Sequence, residues 1–178
     1  MRRVVITGAG TINPLARDMA GTFAALAAGQ CAIGPLDMPD ADRLSIRIGA
    51  QVQGWDAEAL FSRSELALYD RFTQFALVSA RQAVAQAGLV FAGDLAARAG
   101  VVIGTAGGGL TTQDDSYRTV YAEGKNRVHP FVVPRLMHNS AASHISIDLG
   151  LQGPTFAVST ACSSSNHAMG LAFQMVRS

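Results

Sequence analysis

Short solid apolar runs alternate along this chain with longer stretches of helical spacing, and that contrast predicts its elements. Three runs read as buried strands: Val4-Val5-Ile6, Val101-Val102-Ile103 and Thr155-Phe156-Ala157-Val158. Each is too short for a helix and rich in β-branched residues. An alanine-rich segment closed by Gly29 predicts a first helix with Phe23 and Leu26 on its inward edge. The clearest periodicity runs from Ser64 to Gly88. There Leu68, Phe72, Phe75, Ala76, Ser79, Ala83 and Ala87 form one stripe, and Asp70, Arg71, Arg81 and Gln82 are expected to face away from it. Further helices are predicted over 110–123, from Pro134 to about Leu149 with Gly150 closing it, and after Ser165 through Ala168, Leu171, Ala172, Met175 and Val176. The second of these has Leu136, Met137, Ala141, Ile145 and Leu149 on its buried face. Residues 31–62 are turn-rich, with one short strand near Ile46-Arg47-Ile48. Strands and helices alternating in this way indicate an α/β unit with a mostly parallel sheet.

Composition narrows the class. A chain of 178 residues is long enough for one domain, 1–178, with a real core. Hydrophobic residues make up 49% and charged residues 15%, the balance of a folded protein rather than a disordered one. A net charge of +1 gives no basis for wholesale binding to nucleic acid or membrane. Cys31 and Cys162 are too few for a disulfide framework and suit a reducing compartment. No run approaches a membrane span, and Val4-Val5-Ile6 is too short for a signal peptide, so a cytoplasmic location is expected.

Two glycine motifs raise nucleotide binding and then argue against it. Thr7-Gly8-Ala9-Gly10 follows a strand, but the next turn offers Thr11-Ile12-Asn13-Pro14 instead of the further glycine that lets backbone meet a pyrophosphate. Gly104-Thr105-Ala106-Gly107-Gly108-Gly109 lacks the Lys-Ser or Lys-Thr pair of a P-loop. Such a run lets backbone pass close to a ligand, or simply makes a tight turn. No close Cys, His and carboxylate cluster points to a metal.

Cys162 stands where the last strand turns into the last helix, followed by Ser163, Ser164 and Ser165, whose hydroxyls suit capping of free backbone N–H groups. A helix start stabilises a thiolate, the nucleophilic form of cysteine, and offers N–H donors to the oxyanion formed when a thioester is attacked. The alternative is a small buried hydrophobe, a common role for free cysteine.

Val158-Ser159-Thr160-Ala161-Cys162-Ser163-Ser164 resembles the active-site signature of the β-ketoacyl-acyl-carrier-protein synthases, condensing enzymes of the thiolase-like superfamily. Val4-Val5-Ile6-Thr7-Gly8-Ala9-Gly10, Val101-Val102-Ile103-Gly104-Thr105, His129-Pro130-Phe131-Val132-Val133-Pro134 and Gly150-Leu151-Gln152-Gly153-Pro154 resemble the same family in order and spacing. The likeness is nearest to synthase II and the nodulation-type synthases. It implies a thiolase-like layered α/β fold, of which this chain matches the N-terminal half, so the C-terminal half is expected to be missing. An ending at Met175-Val176-Arg177-Ser178 without a glycine cap fits that expectation of a piece of a longer polypeptide.

The resemblance further implies decarboxylative condensation of acyl groups with malonyl-carrier protein through an acyl-Cys162 intermediate. No cofactor is expected beyond the phosphopantetheine arm that arrives on acyl carrier protein, and a homodimer is implied. Phe131 and Val132 align with the acyl-pocket wall. Gly107 aligns with a bulky gate, leaving the pocket more open to a long or bulky acyl chain. Lys125 and Arg127 are candidates for carrier-protein contact, against the plainer reading of two solvated loop cations. A basic cluster that synthase II carries on its first long helix is replaced by Glu65-Leu66-Ala67-Leu68. In the family two histidines come from the second half, and none of His129, His138, His144 or His167 lies in a matching motif. His167, five residues after Cys162, falls roughly 140° around a helix from it. The rival readings are a thiolase or chalcone-synthase-like enzyme acting on coenzyme A esters, and a non-catalytic scaffold that binds acyl chains.

Overall fold

The computed structural model describes residues 3–178. In chain order these give α1 (Met19–Ala27), β1 (Ile33–Pro35), β2 (Ile48–Ala50), α2 (Arg63–Leu68), α3 (Arg71–Ala87) and α4 (Gly93–Arg98). There follow β3 (Val101–Gly104), α5 (Leu110–Tyr117), α6 (Val132–Leu136), α7 (Ser140–Leu149), β4 (Thr155–Val158) and α8 (Ser164–Arg177). A short π-helical turn, Arg118–Ala122, extends α5. β3 and β4 form a parallel pair, Val101 level with Thr155 and Gly104 with Val158, while β1 and β2 form a separate antiparallel pair.

The parallel pair is covered on both faces, as its unbroken apolar sequence requires. Val101 and Ile103 join the core with Leu77 of α3 and Ala142 and Ile145 of α7. Val102, pointing the opposite way, lines a hollow with Ala172, Met175 and Val176 of α8. Leu77 is fully buried, and Phe61 and Tyr69 meet edge to face at 5.6 Å in the same core. Arg81 ties α3 to α7 through both oxygens of Asp148, at 2.9 and 2.6 Å.

The stretch read as one helix from Ser64 to Gly88 is two. Ser62 and Glu65 form a capping box that opens α2, and the Ser62 hydroxyl and backbone N–H hold the Glu65 carboxyl below its usual range. Asp70 then caps α3, accepting from the Phe72 N–H at 3.1 Å. Asp70 is therefore buried rather than facing away. Gln82 is also engaged: its Oε1 accepts from the Thr11 N–H at 3.0 Å and its Nε2 donates to the Arg17 carbonyl at 2.6 Å.

Val4-Val5-Ile6, expected as a strand, pairs with no strand among the described residues. The segment that follows it lies along α3, with the Ala9 N–H on Gln86 Oε1 at 2.6 Å. A Cβ on Gly8 or Gly10 would overlap the carbonyl oxygens of Ala83 or Ser79, so the Gly-Ala-Gly motif serves close packing on a helix. Val5 and Ile6 are left exposed. Phe23 and Leu26 are exposed too, with Ala25 the buried residue of α1, which corrects their inward placement. The strand near residue 47 begins at Ile48 and pairs with β1, an element that Gly34-Pro35 disguised as turn.

His144 of α7 packs its ring against Tyr69 at 4.6 Å, and burial pushes its pKa down from the ordinary value of about 6.5. The unfolded chain therefore takes up this proton first. The stabilisation is complete above about pH 6.5 and is lost as pH falls toward the lower folded value. Urea unfolding is expected to show a midpoint that declines between about pH 7 and 5, with that decline flattened in His144→Gln. An unchanged pH profile in the variant would remove His144 as its source.

Candidate active site

The parallel register delivers the carboxyl ends of β3 and β4 to one edge, where α/β sheets characteristically present ligand sites. The Thr105 N–H continues the pairing onto the Val158 carbonyl at 3.1 Å. Cys162 lies beyond β4 at that edge, directly before Ser163, the N-cap of α8. A Cβ on Gly104 would overlap the backbone of Ser164, so glycine at the end of β3 allows the start of α8 to sit against the sheet.

The turn itself is held hard. Ala161 has φ +50°, a left-handed conformation that costs a residue with a Cβ roughly 1–2 kcal/mol. The Ser164 hydroxyl donates to the Ala161 carbonyl at 2.6 Å and accepts from the Thr160 N–H at 2.9 Å, while the Ser163 hydroxyl donates to the Thr160 carbonyl at 2.8 Å. Ser163 makes no side-chain cap to the helix, so these hydroxyls brace the turn rather than cap α8 as the sequence suggests. Strain of this kind persists only where the surroundings over-determine it, and it concentrates at functional turns. Its result is an exposed Cys162 at a helix start. Burial as a small hydrophobe is not its situation in this chain.

The other candidates divide. The Gly107 carbonyl bonds to the Thr105 hydroxyl, which in turn accepts from the Gly107 N–H at 3.2 Å. A Cβ at Gly107 would meet the Leu110 side chain at 3.3 Å, a flexible neighbour. Gly108 packs against the Leu136 carbonyl, which brings this loop onto α6, the helix that Phe131 and Val132 open. The structure thus joins Gly107 to the α6 element and Gly104 to the Cys162 turn along one edge. A hollow of about 420 Å³ lined by Gly104, Thr105, Ser165 and Met169 has neither Gly107, Phe131 nor Val132 in its wall. Phe131 is exposed with its ring 5.8 Å from that of His129, and Val132 lines a separate pocket. Lys125 is paired with Glu123 at 2.7 Å, and Arg127 reaches that same separate pocket.

His167 lines an open depression of about 640 Å³ with Ser159, Thr160 and Asn166, on the flank of the Cys162 turn. Among the described residues no group of three His, Cys, Asp or Glu is placed to hold a metal, and no helix is long and apolar enough to cross a membrane. Two residues that periodicity hid are Asp70, which accepts from both the N–H and hydroxyl of Thr112, and Arg135, whose Nε is buried without a partner. The signal for Asp70 was present in the sequence as an N-cap residue directly before a helical run.

The chain as a whole, with its parallel pair flanked by helices, is similar to known proteins. The model for the β-ketoacyl synthase N-terminal domain matches residues 1–178, and the chain belongs to that family. It is 35% identical over 176 residues to 3-oxoacyl-[acyl-carrier-protein] synthase 2 of Staphylococcus aureus strain N315, which covers 99% of this chain and 42% of that protein. Among solved structures it resembles a β-ketoacyl synthase from Burkholderia phymatum, with TM-score 0.77 and 28% identity over 99% of this chain and 44% of the other. The ishigamide ketosynthase/chain length factor shares the fold, with TM-score 0.87 and 24% identity over the same shares. The thiolase-like α/β fold implied by the signature is thereby shown.

Proposed function

We propose that this chain supplies the nucleophile and one wall of the acyl site of a β-ketoacyl-[acyl-carrier-protein] synthase. The observation that carries the reading is the exposed Cys162 at the start of α8, fixed by a braced left-handed turn at the carboxyl edge of the parallel strands. Cys162 Sγ attacks the carbonyl of an acyl thioester, the tetrahedral oxyanion collapses, and the carrier's phosphopantetheine thiol leaves with a proton. Malonyl-carrier protein then loses carbon dioxide, and its carbanion attacks the acyl-cysteine. The product is a β-ketoacyl chain two carbons longer, and the cysteine is regenerated.

The Cys162 N–H is the local oxyanion donor in this reading. The second donor and the histidines that assist decarboxylation lie outside these 178 residues. Acyl carrier protein is the partner, two copies pair as a dimer, no resident cofactor is used, and the setting is cytoplasmic. The chain alone is inactive on this view. Support for a carrier-linked substrate comes from the name of the Staphylococcus relative.

The test is acyl loading of the full gene product from short and long acyl-carrier thioesters, with the adduct mapped by mass spectrometry. The acyl group is expected on Cys162 and not on Cys31, and Gly107→Ile is expected to slow loading of long chains more than short ones. Loading elsewhere would overturn the assignment of Cys162, and equal slowing of all donors would overturn the role of Gly107.

A further inference from the structure

A polar pocket of about 130 Å³ lies between α5 with its π-helical turn and the segment that leads into α6. Ser116, Thr119 and Asp115 line one side, and Arg127, His129 and Arg135 the other. The Nε of Arg135 is buried without a hydrogen-bond partner. A buried charged donor left unpaired has lost its hydration without compensation, so natural structures rarely keep one without a use.

The surrounding cations sharpen the point. Arg118 is paired with Asp114 at 2.8 Å and Asp40 at 3.0 Å, and Lys125 with Glu123 at 2.7 Å. Arg127 and Arg135, by contrast, form no ion pair among the described residues, although Asp115 lines the same pocket. Two arginines without an ion pair thus line one small cavity with a single carboxylate at its wall. His129 Nδ1 accepts from the Phe131 N–H at 3.2 Å, which places the ring proton on Nε2 and makes its remaining polar atom a donor. A neutral filler such as water satisfies one N–H but leaves the pocket with a net positive charge beyond what the Asp115 carboxylate offsets. A tetrahedral oxyanion answers both, because guanidinium forks match phosphate oxygens in geometry and charge.

We propose that this pocket binds a phosphate group, held by Arg135 from within and Arg127 at the mouth. The inference stands on the α5–α6 pocket alone and is independent of the chemistry assigned to Cys162. It predicts saturable binding of inorganic phosphate or of a phosphate monoester to the full gene product, measured by calorimetry at constant ionic strength with chloride as the balancing anion. O-phosphoserine serves as the ester probe. Binding of both probes assigns the site to free phosphate, and binding of the ester alone assigns it to an esterified ligand. Either must weaken by about tenfold or more in Arg135→Gln. Arg127→Gln, at an exposed position, reads the same site should the Arg135 variant fail to fold. Lys125→Gln, already neutralised by Glu123, is expected to leave binding unchanged. Binding of neither probe, or binding indifferent to both arginine variants, overturns the proposal.

Discussion

Cys162→Ala in the full gene product is expected to abolish the acyl-enzyme adduct and to lower condensation by on the order of a thousandfold or more, since the proposed covalent intermediate is built on that thiol. The loss should be chemical rather than structural. Cys162 is exposed, and trimming an exposed side chain to alanine usually changes stability by less than about 0.5 kcal/mol. Competition labelling supplies the independent reading. Cys31 is exposed as well, so iodoacetamide reaches both thiols, and faster modification of Cys162 measures its reactivity instead of its access. Equal, slow labelling of the two together with wild-type turnover in Cys162→Ala would sink the nucleophile. Equal labelling with no turnover in either protein would favour a scaffold that binds acyl chains without reacting.

The strand and the helix on either side of Cys162 were legible because their local signals agree with the tertiary structure, whereas the serine hydroxyls brace the turn instead of capping α8. Thr155-Phe156-Ala157-Val158 reads as a buried strand and is β4 over those same residues, and the helix after the serines is α8. Gly88 and Gly150 close their helices in left-handed conformations, as terminal glycines should. What failed was whatever depended on a partner distant in sequence. Val4-Val5-Ile6 has the composition of a strand, but side-chain amides of Gln82 and Gln86 hold the segment after it along α3. The run from Pro134 to Leu149 has unbroken helical spacing and still divides at Met137. There the Leu136 carbonyl accepts from the Gly109 N–H at 3.0 Å, and Met137 turns to extended backbone. Periodicity reports which face is apolar and is silent about a carbonyl drawn away by a glycine loop. The same limit applies to the pocket walls: Gly107, Phe131 and Val132 could be named singly, but no spacing rule says which of them share a cavity.

Asp70→Ala is expected to cost about 3 kcal/mol of stability, the largest penalty among the polar positions considered. The carboxylate caps two helices. Its Oδ1 accepts from the Phe72 N–H at the start of α3, and its Oδ2 accepts from the Thr112 N–H at 2.7 Å and the Thr112 hydroxyl at 2.6 Å in the first turn of α5. The residue at the N-cap of α5 is Gly109, which has no side chain to offer, and a Cβ there would come within 3.0 Å of the Asp70 carboxyl carbon. Glycine therefore brings the helix start close enough for an aspartate 42 residues away to cap it. Alanine at position 70 removes an N-cap worth about 1 kcal/mol and leaves the buried Thr112 N–H and hydroxyl unpaired at about 1–3 kcal/mol. Asn, with one acceptor oxygen and an amide that opposes the donors of Thr112, should fall between wild type and alanine. Asp94→Ala is the control, because its pair with Arg98 is a solvated surface contact and should change stability by less than about 1 kcal/mol. Urea unfolding with unchanged slope reads all three. A loss in Asp70→Ala no larger than that in Asp94→Ala would show that the α5 start is held by packing alone. A large loss would make Asp70 the residue that fixes the Gly107–Gly109 loop to the core helix α3.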